Sequence, residues 1–148
     1  MSDYGRRLVI EADFETTVSA VCGAIRDEGL QALARVDVRE HFWTHLSRDF
    51  PHYILIDAWS PDLAFDALRY ELDAGTLLPT TFAVYELAPG ETAVVAAEPM
   101  APLADEVAWR EQAPVLAAIA DRERERIARV FERLEHPRDE QPVLPSAA

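Results

Sequence analysis

The chain has 148 residues, 49% of them hydrophobic, and a formal net charge of −13, which suits one domain with a single core. Its 14 basic residues are all arginines and face 27 acids, so the clustered positive charge needed to hold a phosphate backbone is missing and nucleic acid is excluded as a partner. One cysteine allows no internal disulfide, the N-terminus has no signal-peptide core, and no run approaches the ~20 apolar residues of a bilayer span, so a cytoplasmic protein with no membrane association is expected.

Arg7–Glu11 reads as a first strand built on Leu8, Val9 and Ile10. Asp13 is placed to cap a helix in which Phe14, Val18, Val21, Cys22 and Ile25 form one apolar stripe. Gly29 ends it. Cys22 lies on that stripe and reads as a small buried hydrophobe rather than a reactive thiol. Leu30–Val38 alternates as a strand, with Ala32, Ala34, Val36 and Val38 on one side. Asp37 then caps a short helix, with Glu40 as its return partner and Val38, Phe42 and Leu46 as the inner stripe. His41 and His45 stand at i, i+4 on this helix and are weak candidates for a metal site. No HExxH accompanies them, and two histidines flanking a buried stripe explain the spacing as well.

The stretch His52–Leu87 organises the rest. Tyr53–Ile56 is strand-like, and Asp57 breaks the apolar run. Ser60 is a good N-cap and Pro61 fits the first helical position. Ala64, Phe65, Leu68 and Leu72 recur at helical spacing, and Gly75 stands where a left-handed C-cap is expected. Trp59 reads as core, whereas Trp43 is equally at home in a core or a pocket. Thr81–Glu98 reads as a hairpin turning at Pro89-Gly90. The small residues Ala93, Ala96 and Ala97 leave room above its second strand. Met100–Pro102 is a linker, Leu103–Glu111 begins the last helical region, and Pro114 forces a kink or a fresh start. Leu116 to Leu134 carries a long apolar stripe, and the alternating charges of Asp121–Arg126 read as a solvated helix face. Residues 1–135 form the single domain and 136–148 a disordered tail.

Strand, Ser60-Pro61, helix, then Leu77-Leu78-Pro79 and a further strand: this order resembles the bacterial and archaeal domain of unknown function 302 family, over roughly Phe14 to Leu134. The resemblance implies an α+β domain similar to TATA-binding-protein-like folds and implies no agreed activity. Many members carry cysteines at the positions of Ser60 and Thr80. Their replacement here by serine and threonine keeps thiol metal or redox chemistry from being carried over.

The fold expected is α+β and two-layered: a mainly antiparallel five-stranded sheet with helices on one face, in the order β-α-β-β-β-β-α with two inserted short helices. No phosphate-binding loop and no nucleophile elbow occurs in the chain, and no cofactor is expected. Asp57 reads as a turn carboxylate, with a polar anchor or general base as the functional alternative. Three readings of function follow. The first is a small-molecule-binding or accessory module without its own catalysis, whose ligand meets Asp57, Ser60, Pro61, Leu78, Thr80 and Thr81. The second is a homodimer formed through an open sheet face. The third is a metal-dependent enzyme using His41 and His45.

Overall fold

The computed structural model describes residues 4–100, 110–111 and 113–137. Strands β1 (Gly5–Ile10), β2 (Gln31–Asp37), β3 (Tyr53–Trp59), β4 (Thr80–Ala88) and β5 (Glu91–Ala97) form one five-stranded sheet in the order β1-β5-β4-β3-β2. Every neighbouring pair is antiparallel. The helices are α1 (Phe14–Asp27), α2 (Val38–Leu46), α3 (Pro61–Tyr70) and α4 (Pro114–Glu135), with a 3-10 turn over Leu72–Leu77. None of the described helices is long and apolar enough to cross a membrane.

Local chemistry fixes the ends of α1. Asp13 accepts the Thr16 N–H at 2.8 Å and caps the first turn. At the other end Gly29 takes φ of 83°. Its N–H reaches the Arg26 carbonyl at 3.1 Å and the Leu30 N–H reaches Ile25 at 3.0 Å, which closes a Schellman motif with Leu30 buried behind it. Asp37 likewise accepts the Glu40 N–H at 3.0 Å to start α2. The β4–β5 turn falls at Pro89-Gly90, with Gly90 at φ 79°. Pro114 is the first residue of α4, so the proline begins the helix rather than kinking it.

The core lies on one face of the sheet. Val18, Val21 and Ile25 of α1, and Ile127, Val130 and Phe131 of α4, pack with Ile54 and Ile56 of β3, Phe82 and Val84 of β4, and Val94 and Ala96 of β5. The stripes of the first and last helices thus seal the same side, as their spacing predicts. Each of the valine, isoleucine and phenylalanine side chains contributes roughly 1.5–3 kcal/mol when fully buried. A second cluster joins Leu63 and Ala67 of α3, Ala74, Met100, and Leu116, Ile119 and Ala120 of α4.

The structure corrects several expectations. All residues of β2, an edge strand, are exposed, and its alternation therefore buries nothing. A register shift between Ala32 and Ala34 breaks it further. Helix α2 buries no residue, and Leu46 of its supposed inner stripe is exposed. Helix α3 ends at Tyr70, and Gly75 sits inside the 3-10 turn rather than capping the helix. Trp59 is only half-buried, and so is Cys22, although it packs against the main core. The charged run on α4 does more than face water. Arg124 reaches Glu98 at 2.9 Å, Arg126 holds Asp62 through two bonds of 2.7 and 2.8 Å, and Arg129 meets Glu28 at 2.9 Å, as Arg133 also does. Of the segment expected to begin the last helical region, only Arg110 and Glu111 are described, and both are helical. The tail from residue 138 onward lies outside the described residues.

Candidate functional site

The strand period splits the side chains of β3, β4 and β5 between two faces. Those opposite the helices include Tyr53, Leu55 and Asp57 of β3, paired in register with Tyr85, Ala83 and Thr81 of β4. Ala83 stands beside Val95 of β5, which stands beside Arg7 of β1. The main core joins α1 and α4 to the other face, while Phe42 of α2 reaches Tyr53 on this face through the Phe50 ring.

A hollow of about 460 Å³ lies on this open face. Its floor is Ala83, Val95, Ala97 and Thr81, and its walls are Tyr4, Arg7, Tyr53 and Tyr85. The floor is low because alanine and threonine stand where larger side chains would fill the space. The Tyr53 and Tyr85 rings stack with centroids 5.2 Å apart and planes 8° apart. Burial, and then the neighbouring Tyr85, push the Tyr53 hydroxyl above its usual pKa. From the floor of the hollow the Thr81 hydroxyl donates to Asp57 Oδ1 at 2.7 Å. Arg7 has no acidic partner among the described residues.

The six residues proposed from sequence divide between the two sides of the sheet. Asp57 and Thr81 are together on the open face. Ser60 and Thr80 are buried on the helix side, with Ser60 fully inaccessible. Leu78 packs against the second cluster, and Pro61 is exposed at the start of α3. Ser60 does occupy the N-cap, but its hydroxyl makes no cap bond. It donates instead to Glu123 Oε2, and the Ser60 N–H donates to Glu123 Oε1 at 3.2 Å. Glu123 is 4% exposed, and burial raises its pKa against the lowering effect of the Ser60 bonds.

His41 and His45 do face the same way, with ring centroids 4.4 Å apart on the exposed surface of α2. Among the described residues no group of three or more His, Cys, Asp or Glu side chains converges. Trp43, also on α2, is 62% exposed and borders a hollow of about 620 Å³ with Arg39, Asp49 and His52. There the Arg39 guanidinium contacts His52 Nε2 at 2.9 Å. A larger surface groove of about 980 Å³ runs along α1 to the end of α4. Two of its polar groups are engaged within the fold: Thr17 donates to the Asp13 carbonyl, and Arg133 pairs with Glu28.

Sequence reasoning missed Arg7, Tyr53, Tyr85 and Glu123. The period-two spacing of Ala93, Val95 and Ala97 carries part of the missing signal, since it marks a strand face with little to pack. The register that brings Tyr53 beside Tyr85 is not written in either strand alone.

A solved structure titled "Crystal structure of uncharacterized conserved protein DUF302 from Bacillus stearothermophilus" is similar to this one, with a TM-score of 0.72. The two are 20% identical, and the match covers 90% of this chain and 99% of that one. At that identity the likeness shows the fold. No curated protein matches the chain. The family model described as "Domain of unknown function DUF302" matches residues 7–134, from β1 to the last turn of α4, and the chain belongs to that family.

Proposed function

We propose that the protein is a small-molecule-binding module whose ligand lies in the hollow on the open sheet face. The observation that carries this reading is the composition of that hollow: a stacked tyrosine pair, and an arginine with no acidic partner among the described residues, around a floor of small side chains. Its volume of about 460 Å³ falls within the ordinary range of ligand sites. The tyrosines present flat apolar surface, and Arg7 attracts an anion. The ligand class is therefore a flat organic molecule with an anionic group. Asp57 and Thr81 supply a hydrogen-bonding edge for a donor on the ligand. Ser60, Pro61, Leu78 and Thr80 act from beneath, by fixing where β3 ends and β4 begins.

Titration with 8-anilinonaphthalene-1-sulfonate tests this, since the dye is flat, apolar and anionic. Saturable fluorescence on the folded protein is expected. Arg7→Ala should weaken it about tenfold, the scale of one lost charge-assisted bond, and Tyr85→Ala should weaken it as well. Dye binding that is absent, or indifferent to both substitutions, refutes the reading.

A further inference from the structure

We infer that the open sheet face is also the contact surface for a second copy of this chain, which closes the hollow over its ligand. The inference rests on the reading of the hollow as a ligand site, because a site this open is incomplete without a cover. Two properties of the face select a second copy as the occupant.

The first is charge. A chain of net charge −13 repels its own copies over most of its surface. Across the body of the open face, however, the strands place one cation, Arg7, and one anion, Asp57, among apolar and small neighbours. Val9 and Val36, on the outer strands of the same face, are 38% and 45% exposed. The face is locally neutral on an otherwise acidic molecule, so self-association costs least here.

The second is self-complementarity. Arg7 stands on edge strand β1 and Asp57 on β3, on either side of β5 and β4. A two-fold axis running along the strands between β5 and β4 lays β1 of one copy over β3 of the other. The Arg7 row meets β3 at Leu55, two residues from Asp57. That offset is roughly 7 Å at ~3.3 Å per residue, within reach of an arginine side chain. Each Arg7 then faces the partner subunit's Asp57 with one side of its five-donor fork, twice over by symmetry, and the other side stays turned to the hollow for the ligand's anion. Thr81 occupies Asp57 Oδ1 and leaves Oδ2 for that contact. Facing sheets sit about 10 Å apart. The tyrosines span much of that gap, and Ala83 and Ala97 do not, so the ligand space survives as an enclosed chamber.

Sedimentation velocity on the full chain, joined to small-angle scattering, tests the inference. A particle of twice the 16.6 kDa chain mass with a compact, face-packed profile is expected. Val95→Glu and Arg7→Glu should each give monomers that remain folded by circular dichroism, and Arg7→Glu with Asp57→Arg should restore the dimer. A monomer at the highest soluble concentration overturns the inference. So does a dimer with an elongated, edge-paired profile, a readout that needs no variant to fold. Dye titration of the native chain separates the two readings. A monomer that binds the dye at the hollow refutes closure alone, and a face-packed dimer that binds none refutes the ligand site alone.

Discussion

Glu123, on α4, accepts both the backbone N–H and the hydroxyl of Ser60, the residue before α3. The pair lies buried near the junction of α3 and α4 and ties those helices to the end of β3. Removing the carboxylate in Glu123→Ala leaves two buried donors without an acceptor, and opens a small void as well. The expected cost is about 2–4 kcal/mol by urea unfolding. A loss below about 0.5 kcal/mol would mean that water or a neighbour replaces the carboxylate, and that the tie is not structural.

The same carboxyl gives a pH signature. Burial raises the Glu123 pKa above its unfolded value. The group therefore favours folding most below the unfolded value, and that advantage is lost as pH rises through the folded value. Glu123→Gln keeps the shape and cannot ionise. Relative to the native chain it should gain stability as pH rises from about 4 toward neutrality. Parallel stability curves for the two proteins would show that Glu123 does not titrate differently on folding.

Acid works in the opposite sense through the clasps on α4. Arg126 holds Asp62 down to about 2, and Arg110, then Arg124, holds Asp121 to about 2. Arg133, then Arg129, lowers Glu28. These depressed carboxyls contribute stability that is present above their unfolded values near ~4 and is lost as pH falls toward the folded ones. Thermal midpoints should fall between about pH 4 and pH 2. Arg126→Ala should blunt the fall while costing less than about 1 kcal/mol at neutral pH, since Asp62 is more than half exposed. An acid transition unchanged in that variant would remove the Asp62 clasp as a cause.

Gly5 allows no substitute. Its φ is +148°, and a Cβ there would stand 2.1 Å from the Ala96 carbonyl oxygen. That oxygen is backbone of the neighbouring strand and cannot swing aside. Gly5→Ala should cost about 1–3 kcal/mol in denaturant unfolding, whereas Gly23→Ala, inside α1 with a flexible arginine tip at 3.8 Å as its nearest neighbour, should gain about 0.5–1 kcal/mol. Equal stability of the two variants would mean that β1 shifts freely at its start.

The local rules in the sequence carried the elements with strong punctuation. Asp13 and Gly29 bound α1, Pro89-Gly90 turns the hairpin, and Pro114 opens α4, each through interactions within a few residues. The long-range ties had no such mark. Ser60 and Glu123 are 63 residues apart, and Arg129 and Glu28 are 101 apart. An acid and an arginine at such distances are one pair among many in so charged a chain. The candidate site was half legible for a related reason. Reading Asp57–Pro61 and Leu78–Thr81 as one cluster is right about their proximity, because Asp57 pairs with Thr81 and Ala58 with Thr80. It overlooks the period of two, which sends Thr80 into the core and Thr81 to the open face.

That period yields the sharpest contrast between fold and function. Ala83 and Ala96 both lie in central strands, on opposite faces. Ala96 is 1% exposed against the helices, so Ala96→Leu overpacks a filled core and should cost about 1–3 kcal/mol. Ala83 floors the hollow, where added carbon meets open space. Ala83→Leu should change stability by less than about 1 kcal/mol, yet it should abolish dye binding by filling the space that the ligand needs. Urea unfolding and dye titration on both variants measure the two effects side by side. If Ala83→Leu bound the dye as the native chain does, the hollow would not be the site; if it destabilised the fold as much as Ala96→Leu, the face would already be packed against part of the same chain.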